Sequence, residues 1–490
     1  MKTPRTPGRK TTHLSTILPA ALLLAGGVTA GAQTPAEVDE LKAKMRLMEQ
    51  SMQEMKQRIS ELESNTAAQA LKGAITNTTE EAGSNRVKFW PALTEFLGRP
   101  SLVEDRNLLN DHQEGAPRPN DLTLDPQYRG FVPVPNTGVL IKFNAKPRLD
   151  AMVDDKNSGN SDRFVTATIP TKNSSEHGGG MQFDMNAKGS QLSFDVRAPE
   201  MPGDFRFYYQ NDFFGSGNMG YRLKQLYGQF FNFTAGFTFS IFEDPDVWPD
   251  TVDYEGPNSA IFARQATARY LLPLNENWQL NFGIQEPSSD IDGGIGIHSD
   301  SVANNQAPDG GMNVRWEHAK YGHVQLAGIL RALGSRTPDL DDEQNALGWG
   351  LNLSAGLKVF ERDSVQAQVT YGEGIFHFAN DNFSNNDAAF DDSGELTALP
   401  YLGLMAGYTH RWNDDFRSTL SMGYINVDNE PSQGPDAYHE TYYGSLNVIW
   451  QLRKRLSVGL EFLYGKKEVQ SGDTGDVFRT QVGMVYSLFD

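Results

Sequence analysis

Gly138 to Asp154 reads GVLIKFNAKPRLDAMVD. Taken in steps of two, Val139, Ile141, Phe143, Ala145, Pro147, Leu149, Ala151 and Val153 form one face. Leu140, Lys142, Asn144, Lys146, Arg148, Asp150, Met152 and Asp154 form the other. Alternation held for about eight pairs outruns the ~5–6 residues of a typical strand. A strand with one apolar and one charged face needs apolar surroundings on one side and water on the other. A soluble sandwich supplies that arrangement, and so does a membrane barrel with lipid outside and an aqueous lumen inside.

The bulk numbers narrow the choice. The chain has 490 residues, 47 Gly, no Cys, 11% aromatic residues and a formal net charge of −19. Abundant Gly, Tyr and Phe favour strands and tight turns. Without Cys there is neither a disulfide framework nor a thiolate metal site. The acidic balance argues against nucleic-acid binding. No apolar run beyond the N-terminus is long enough for a transmembrane helix.

Residues 1–32 read as a secretory signal. Lys2, Arg5, Arg9 and Lys10 precede an apolar run from Leu14 to Val28, and Ala30-Gly31-Ala32 offers a small-x-small cleavage site. Its removal leaves 39 basic against 62 acidic residues, a net charge of −23. Residues 33–66 carry Val38, Leu41, Met45, Met48, Met52, Met55, Ile59 and Leu62 at alternating spacings of three and four. That heptad seam predicts a coiled coil, hence self-association; its methionines specify strand number poorly. Residues 67–137 form a linker with one apolar patch, Phe89 to Leu97, and end in Gly130-Phe131-Val132-Pro133-Val134-Pro135, which forbids helix.

From Gly138 onward, sixteen alternating segments follow: 139–153, 181–198, 204–212, 220–230, 233–242, 260–272, 277–286, 311–318, 322–332, 347–360, 364–378, 398–411, 416–427, 438–452, 455–468 and 477–488. Trp278-Leu280-Phe282-Ile284, opposite Gln279-Asn281-Gly283-Gln285, shows the pattern. The connections alternate long and short without a break. Such segregation of loop lengths marks an up-and-down barrel with one tight-turn rim and one long-loop rim. The predicted fold is all-β: a sixteen-stranded antiparallel transmembrane barrel over 138–490, with an N-terminal α-helical coiled coil. An even strand number puts both termini at the periplasmic rim.

Sixteen strands leave an aqueous channel, whose selectivity rests on its charges and its narrowest point. The candidate basic wall comprises Lys142, Lys146, Arg148, Arg197, Arg206, Arg222 and Arg269; Lys224, Arg315, Arg331, Lys358 and Arg479 also fall on polar faces. The connection after the fifth segment brings Glu243, Asp244, Asp246, Asp250, Asp253 and Glu255, stiffened by Pro245, Pro249 and Pro257. Folded inward, it would narrow the channel, and an acidic loop facing a basic wall would set a transverse field that orients small dianions or zwitterions. Further acidic clusters at Asp339 to Glu343 and Asp381 to Glu395 read as solvated loop tips; holding Ca²⁺ or Mg²⁺ against lipopolysaccharide is the alternative use. The nine His form no ligand pattern, and no G-x-S-x-G elbow or phosphate loop is present. The chain is expected to be neither an enzyme nor a holder of cofactor or metal.

Gly130–Val153 resembles the DcaP-like family of trimeric outer-membrane porins. So do Gln191–Pro199, Asn211-Asp212-Phe213-Phe214-Gly215, Arg222–Gly228, Asp250–Pro257 and Arg264-Gln265. The resemblance implies a homotrimer, a periplasmic coiled coil, an outer-membrane site among lipid and lipopolysaccharide, and uptake of small anions such as dicarboxylates. Two departures stand out: the 67–137 linker is long for the family, and Phe489 is followed by Asp490, which displaces the terminal aromatic by one residue. Competing readings are a sugar-selective or general porin, an envelope tether, and an outer-membrane lipase.

Overall fold

The structure is a computed structural model that describes residues 131–198, 205–296, 298–360, 362–383 and 386–488. The expected signal, the coiled coil and the linker up to residue 130 lie outside the described residues.

The regular elements among the described residues are strands, with four short 3-10 turns among them. No helix there is long and apolar enough to cross a membrane. The antiparallel ladder begins with Leu140–Lys146 on Gln191–Ala198 and Arg148–Asp154 on Gln182–Asn186. It continues through Phe205–Gly215, Gly220–Phe230, Phe233–Phe239, Arg264–Pro273 and Trp278–Gln285. Asp309–His318, Gly322–Thr337, Asp342–Val359, Asp363–Glu373 and Pro400–Arg411 follow. Phe416–Val427, Tyr438–Arg453, Leu456–Val469 and Thr474–Tyr486 complete it. Thr474–Tyr486 also pairs with Arg148–Asp154.

Alternation sorts the side chains as the sequence predicts. Phe143, Leu149, Phe282, Ile284, Leu326, Leu330, Phe462 and Met484 are exposed, while Arg148, Asp150, Met152 and Asp154 are buried. Tight hairpins join many strands. Phe231 and Asn232 take φ of 46° and 65°, the geometry of a two-residue turn that follows strand twist.

Several boundaries are corrected. Gly138–Asp154 is two strands, parted at Pro147, which has no N–H for the ladder. The opposing segment is likewise parted between Asn186 and Gln191, and Ser190 Oγ accepts from Arg148 N at 3.0 Å. The strand expected to 378 ends at Glu373, because Gly374 turns with φ +70° into the Phe376–Phe378 helical turn. The expected long connection 333–346 is mostly strand: Gly322–Thr337 and Asp342–Val359 run on as a hairpin turned by Pro338–Leu340.

The largest departure concerns the lumen. The buried face of the strands meets an apolar cluster rather than water alone. Ala327, Ile329, Tyr401, Ile425, Val427 and Tyr438 from the strands pack with Phe242, Ile261, Phe376 and Phe378 from the connections, all buried. Burial of four aromatic or large aliphatic loop residues contributes roughly 1.5–3 kcal/mol each, enough to hold two connections against the wall.

Candidate functional site

Residues 240–263 form the connection expected to bend inward, and they are packed against the strands from end to end. Ser240 Oγ donates to Gln285 Oε1 at 3.0 Å, Asn313 donates to the Ile241 carbonyl at 2.8 Å and Asn352 to that of Phe242 at 3.0 Å. Farther along, Asn447 donates to the Asp250 carbonyl at 2.6 Å. Glu461 accepts from the amides of Val252 and Asp253 at 2.9 and 2.5 Å. Tyr254 then reaches strands early in the ladder. Its hydroxyl donates to Asp212 at 2.7 Å and accepts from Lys224 at 3.1 Å, with Arg148 over its ring at 5.1 Å. On the return, Asn258 donates to Thr441 at 2.7 Å and Ser259 to the Leu404 carbonyl at 2.6 Å. Two wall glycines make room: a Cβ at Gly407 would lie 2.7 Å from Pro249, and one at Gly423 would lie 2.1 Å from Asn258 Oδ1.

All six acidic residues singled out in this loop are buried, and most have internal partners. Asp244 and Asp246 share Arg315 at 3.0 and 2.6 Å, and Asp244 also receives His323 at 3.0 Å and Ser354 at 2.6 Å. Burial is the largest influence on Asp244 and acts to raise it, yet His323, Arg315 and Ser354 together hold its carboxyl below the usual range. Asp250 pairs with Arg417 at 2.9 Å and Glu255 with Arg163 at 2.7 Å. Asp253 accepts three amides, from Phe164, Glu255 and Gly256. Burial pushes it up to about 6, against the pull of Arg479 and those amides. Glu243 is raised by burial, accepts from Ala263 N at 3.2 Å and has one carboxylate oxygen without a hydrogen bond. An open field between bare acids and bare bases is therefore not what these residues make; much of the charge is cancelled locally.

The basic residues divide by exposure. Arg148 is buried and bound to Asp150 at 2.6 Å; Arg197 and Arg206 are buried and share Asp195. Arg269 is buried and donates to the Phe239 carbonyl at 3.2 Å. These are holding positions. Lys142 and Lys146 are half-buried, with Lys142 at 5.9 Å from the Phe131 ring. Arg222 keeps 29% side-chain exposure while its Nε and Nη2 engage Asp212, at 2.9 and 2.5 Å.

Around Arg222 lies a half-buried group, most of which the sequence did not single out. Arg163 and Arg222 both stack on Phe214, at 5.1 and 5.2 Å. Arg264 lies over Phe262 at 4.5 Å, and Lys188 binds Asp162 at 2.5 Å. Arg163 and Asp162 sit in an irregular connection, where period-2 reading assigns no face, and Lys188 falls at the break that parts the expected segment 181–198 between Asn186 and Gln191. Arg264 opens a strand, and its motif was visible only through the family resemblance. The geometry can bind and orient carboxylates: the guanidinium groups are held by acids and aromatic faces and the side chains stay partly exposed, although Arg163 Nε and Arg264 Nε and Nη2 are buried.

Among the described residues, two Asp/His groups have ligand atoms within 4.8 Å of one another, Asp244-Asp246-His323 and Asp290-His377-Asp387. Arg315 occupies the first at 3.0 and 2.6 Å, and Arg331 the second at 2.9 Å from Asp387. Both are thus arginine ion-pair networks, although His323 Nδ1 in the first is buried without a hydrogen-bond partner.

The family described as DcaP outer membrane protein matches residues 101–488. In fold, the chain is similar to the outer membrane channel DcaP of Acinetobacter baumannii: 19% identity, 72% of this chain and 98% of that one, TM-score 0.64. It matches Vibrio cholerae OmpT over 72% of this chain and 99% of the other, at 10% identity and TM-score 0.44. Pseudomonas putida OprB is matched over 71% and 94%, at 10% identity and TM-score 0.44. No curated protein sequence matches.

Proposed function

The chain belongs to the DcaP outer membrane protein family, and from that premise we propose a passive porin that favours small anions such as dicarboxylates. An outer-membrane porin is not an enzyme, so the open questions are selectivity and assembly. We read the ladder as sixteen segments closed into a transmembrane barrel. The pairing of Thr474–Tyr486 with Arg148–Asp154 supports this, as does the exposed apolar face. The coiled coil at 33–66 and the family membership favour a homotrimer standing among outer-membrane lipid and lipopolysaccharide, with the helices in the periplasm.

One observation carries the anion preference: Arg163, Arg222, Arg264 and Lys188 remain half-buried beside the inward loop, whereas most cations farther round are sealed. Partial exposure leaves a guanidinium able to meet a solute. A second reading, a general porin, draws on the acids beside these cations, since Glu255, Asp212 and Asp162 pair with three of them. Liposome swelling with succinate, a neutral sugar and a cationic amino acid separates the two. Faster entry of succinate supports the anion reading; equal entry of all three supports the general one. A cation preference in planar-bilayer reversal potentials would sink the anion claim.

A further inference from the structure

Resting on the anion passage proposed above, we infer that Arg163 is a specificity-determining residue that exchanges its internal partner, Glu255, for the carboxylate of the passing solute. Arg163 lies in the connection between Arg148–Asp154 and Gln182–Asn186, remote in sequence from the inward loop whose Glu255 it binds. The contact is a single one: Nη1 to Glu255 Oε2 at 2.7 Å, with side-chain exposures of 15% and 10%. Its Nε is buried and makes no hydrogen bond, so the exchange concerns the Nη1 edge. The guanidinium plane rests on Phe214 at 5.1 Å and on Phe383 at 5.7 Å, so it remains oriented when the carboxylate changes.

Both backbones are fixed independently of this bridge. Arg163 N donates to Asn160 Oδ1 at 3.2 Å and Phe164 N to Asp253 Oδ1 at 3.2 Å. Glu255 N donates to Asp253 Oδ2 at 3.1 Å, and Asn380 donates to the Glu255 carbonyl at 2.8 Å. Only the side-chain contact is left to exchange. Arg479 shows the opposite design. It grips Asp154 with two nitrogens at 2.6 and 2.8 Å, is fully buried, and also donates to Ser158 and the Asn160 carbonyl. Replacing one carboxylate by another on Arg163 leaves the number of charge-assisted hydrogen bonds unchanged. Arg222, on the same ring at 5.2 Å, provides a second guanidinium for a dicarboxylate.

Arg163→Gln and Glu255→Gln break the same bridge, so they separate exchange from a mere tie between connections. The full-length protein is reconstituted in planar bilayers, with the chloride-to-potassium permeability ratio and succinate-induced current fluctuations as readouts. Arg163→Gln is expected to lower the ratio and weaken succinate association by about two-fold or more. Glu255→Gln is expected to move both in the opposite direction, because it removes the competing carboxylate. Arg163→Lys is expected to restore the ratio but not the succinate association, since an ammonium lacks the planar fork. Parallel effects of the two Gln variants would overturn the inference in favour of a tie. Loss of anion preference in Arg222→Gln with Arg163→Gln unaltered would overturn it too, while leaving the anion reading intact. If neither variant alters the preference, the inference about Arg163 fails, whereas a wild-type channel without anion preference would sink the anion reading itself.

Discussion

The buried face of the ladder has two unlike contents. Against Gly322–Thr337, Pro400–Arg411 and Phe416–Val427 it meets Phe242, Ile261, Phe376 and Phe378, all at 0% exposure. Near Gly220–Phe230 and Arg264–Pro273 it meets Arg163, Arg222, Arg264 and Phe214, all half-buried. Aromatic residues occur on both sides, but they do different things. On the first side they exclude water and seat the connections. On the second they offer faces on which guanidinium groups lie. The difference teaches that residue type in a wide barrel does not reveal its role; the degree of burial does.

The largest effect should come from the apolar side. Phe376→Ala removes a fully buried ring from the cluster and is expected to cost about 3–5 kcal/mol. Thermal unfolding followed by circular dichroism should show a clear fall in the transition temperature. Phe214→Ala should shift that temperature far less and instead change ion selectivity. Equal thermal losses in the two variants would erase the distinction between the two sides.

Acid should sharpen the comparison at the tip of the inward loop. Asp253 is buried, accepts only amides, and burial lifts its carboxyl to about 6. A raised folded-state value means that ionisation is penalised in the folded protein. The penalty is absent below the unfolded value, near 3.8, and is fully present above about 6. At pH 7 it amounts to about 3 kcal/mol. Lowering the pH from 7 to 4 should therefore stabilise the loop through this group. The wild-type transition temperature should rise relative to that of Asp253→Asn over this window. Identical pH profiles for the two proteins would contradict the assignment.

A smaller effect is expected where connections meet one another. Asp381 accepts from Ala167 N at 2.9 Å, Thr166 at 2.7 Å, and the hydroxyls of Tyr438 and Thr441 at 3.0 Å each. Asn can serve only part of that donor set. Asp381→Asn should cost roughly 1–3 kcal/mol and raise current noise as the connection between Asp154 and Gln182 loosens. A quiet, fully stable variant would show that the apolar cluster alone seats it.

How much of this was legible in the sequence follows from the same contrast. Strand positions were readable because alternation is local: the segments at 220–230 and 416–427 coincide with strands of those bounds. Pro147 was in plain sight, yet the long alternation masked the break it makes in the ladder. Of the basic residues in the first segment, Arg148 is buried with Asp150, while Lys142 and Lys146 are half-buried. Their partners were not legible. Asp244 meets Arg315 and His323 across gaps of 71 and 79 residues, and Asp250 meets Arg417 across 167. No periodicity encodes such meetings. Arg163 was missed for a related reason: it belongs to an irregular connection, and only the folded loop brings Glu255 to it. The glycines at 407 and 423 were the one overlooked local sign, because small residues on an inward face mark where another segment lies close.

The smallest effect belongs to the exposed end of the hairpin formed by Gly322–Thr337 and Asp342–Val359. Arg336 stands 3.5 Å from Asp341 and 3.9 Å from Glu343, but it is half exposed and the two acids are at 88% and 53%. Solvent and salt screen such contacts, and holding long side chains in one geometry costs entropy. Arg336→Gln should thus change stability by less than about 0.5 kcal/mol and leave permeability ratios unaltered. The comparison with Arg163 is direct, because both are arginines paired with acids, Arg336 at a strand end beside a turn and Arg163 in a connection. Arg163 differs by lying on two aromatic rings, with its guanidinium confined beside the inward loop. A selectivity change in Arg336→Gln as large as that in Arg163→Gln would mean that charge anywhere on the connections tunes the passage. Confinement beside Phe214 would then lose its explanatory role.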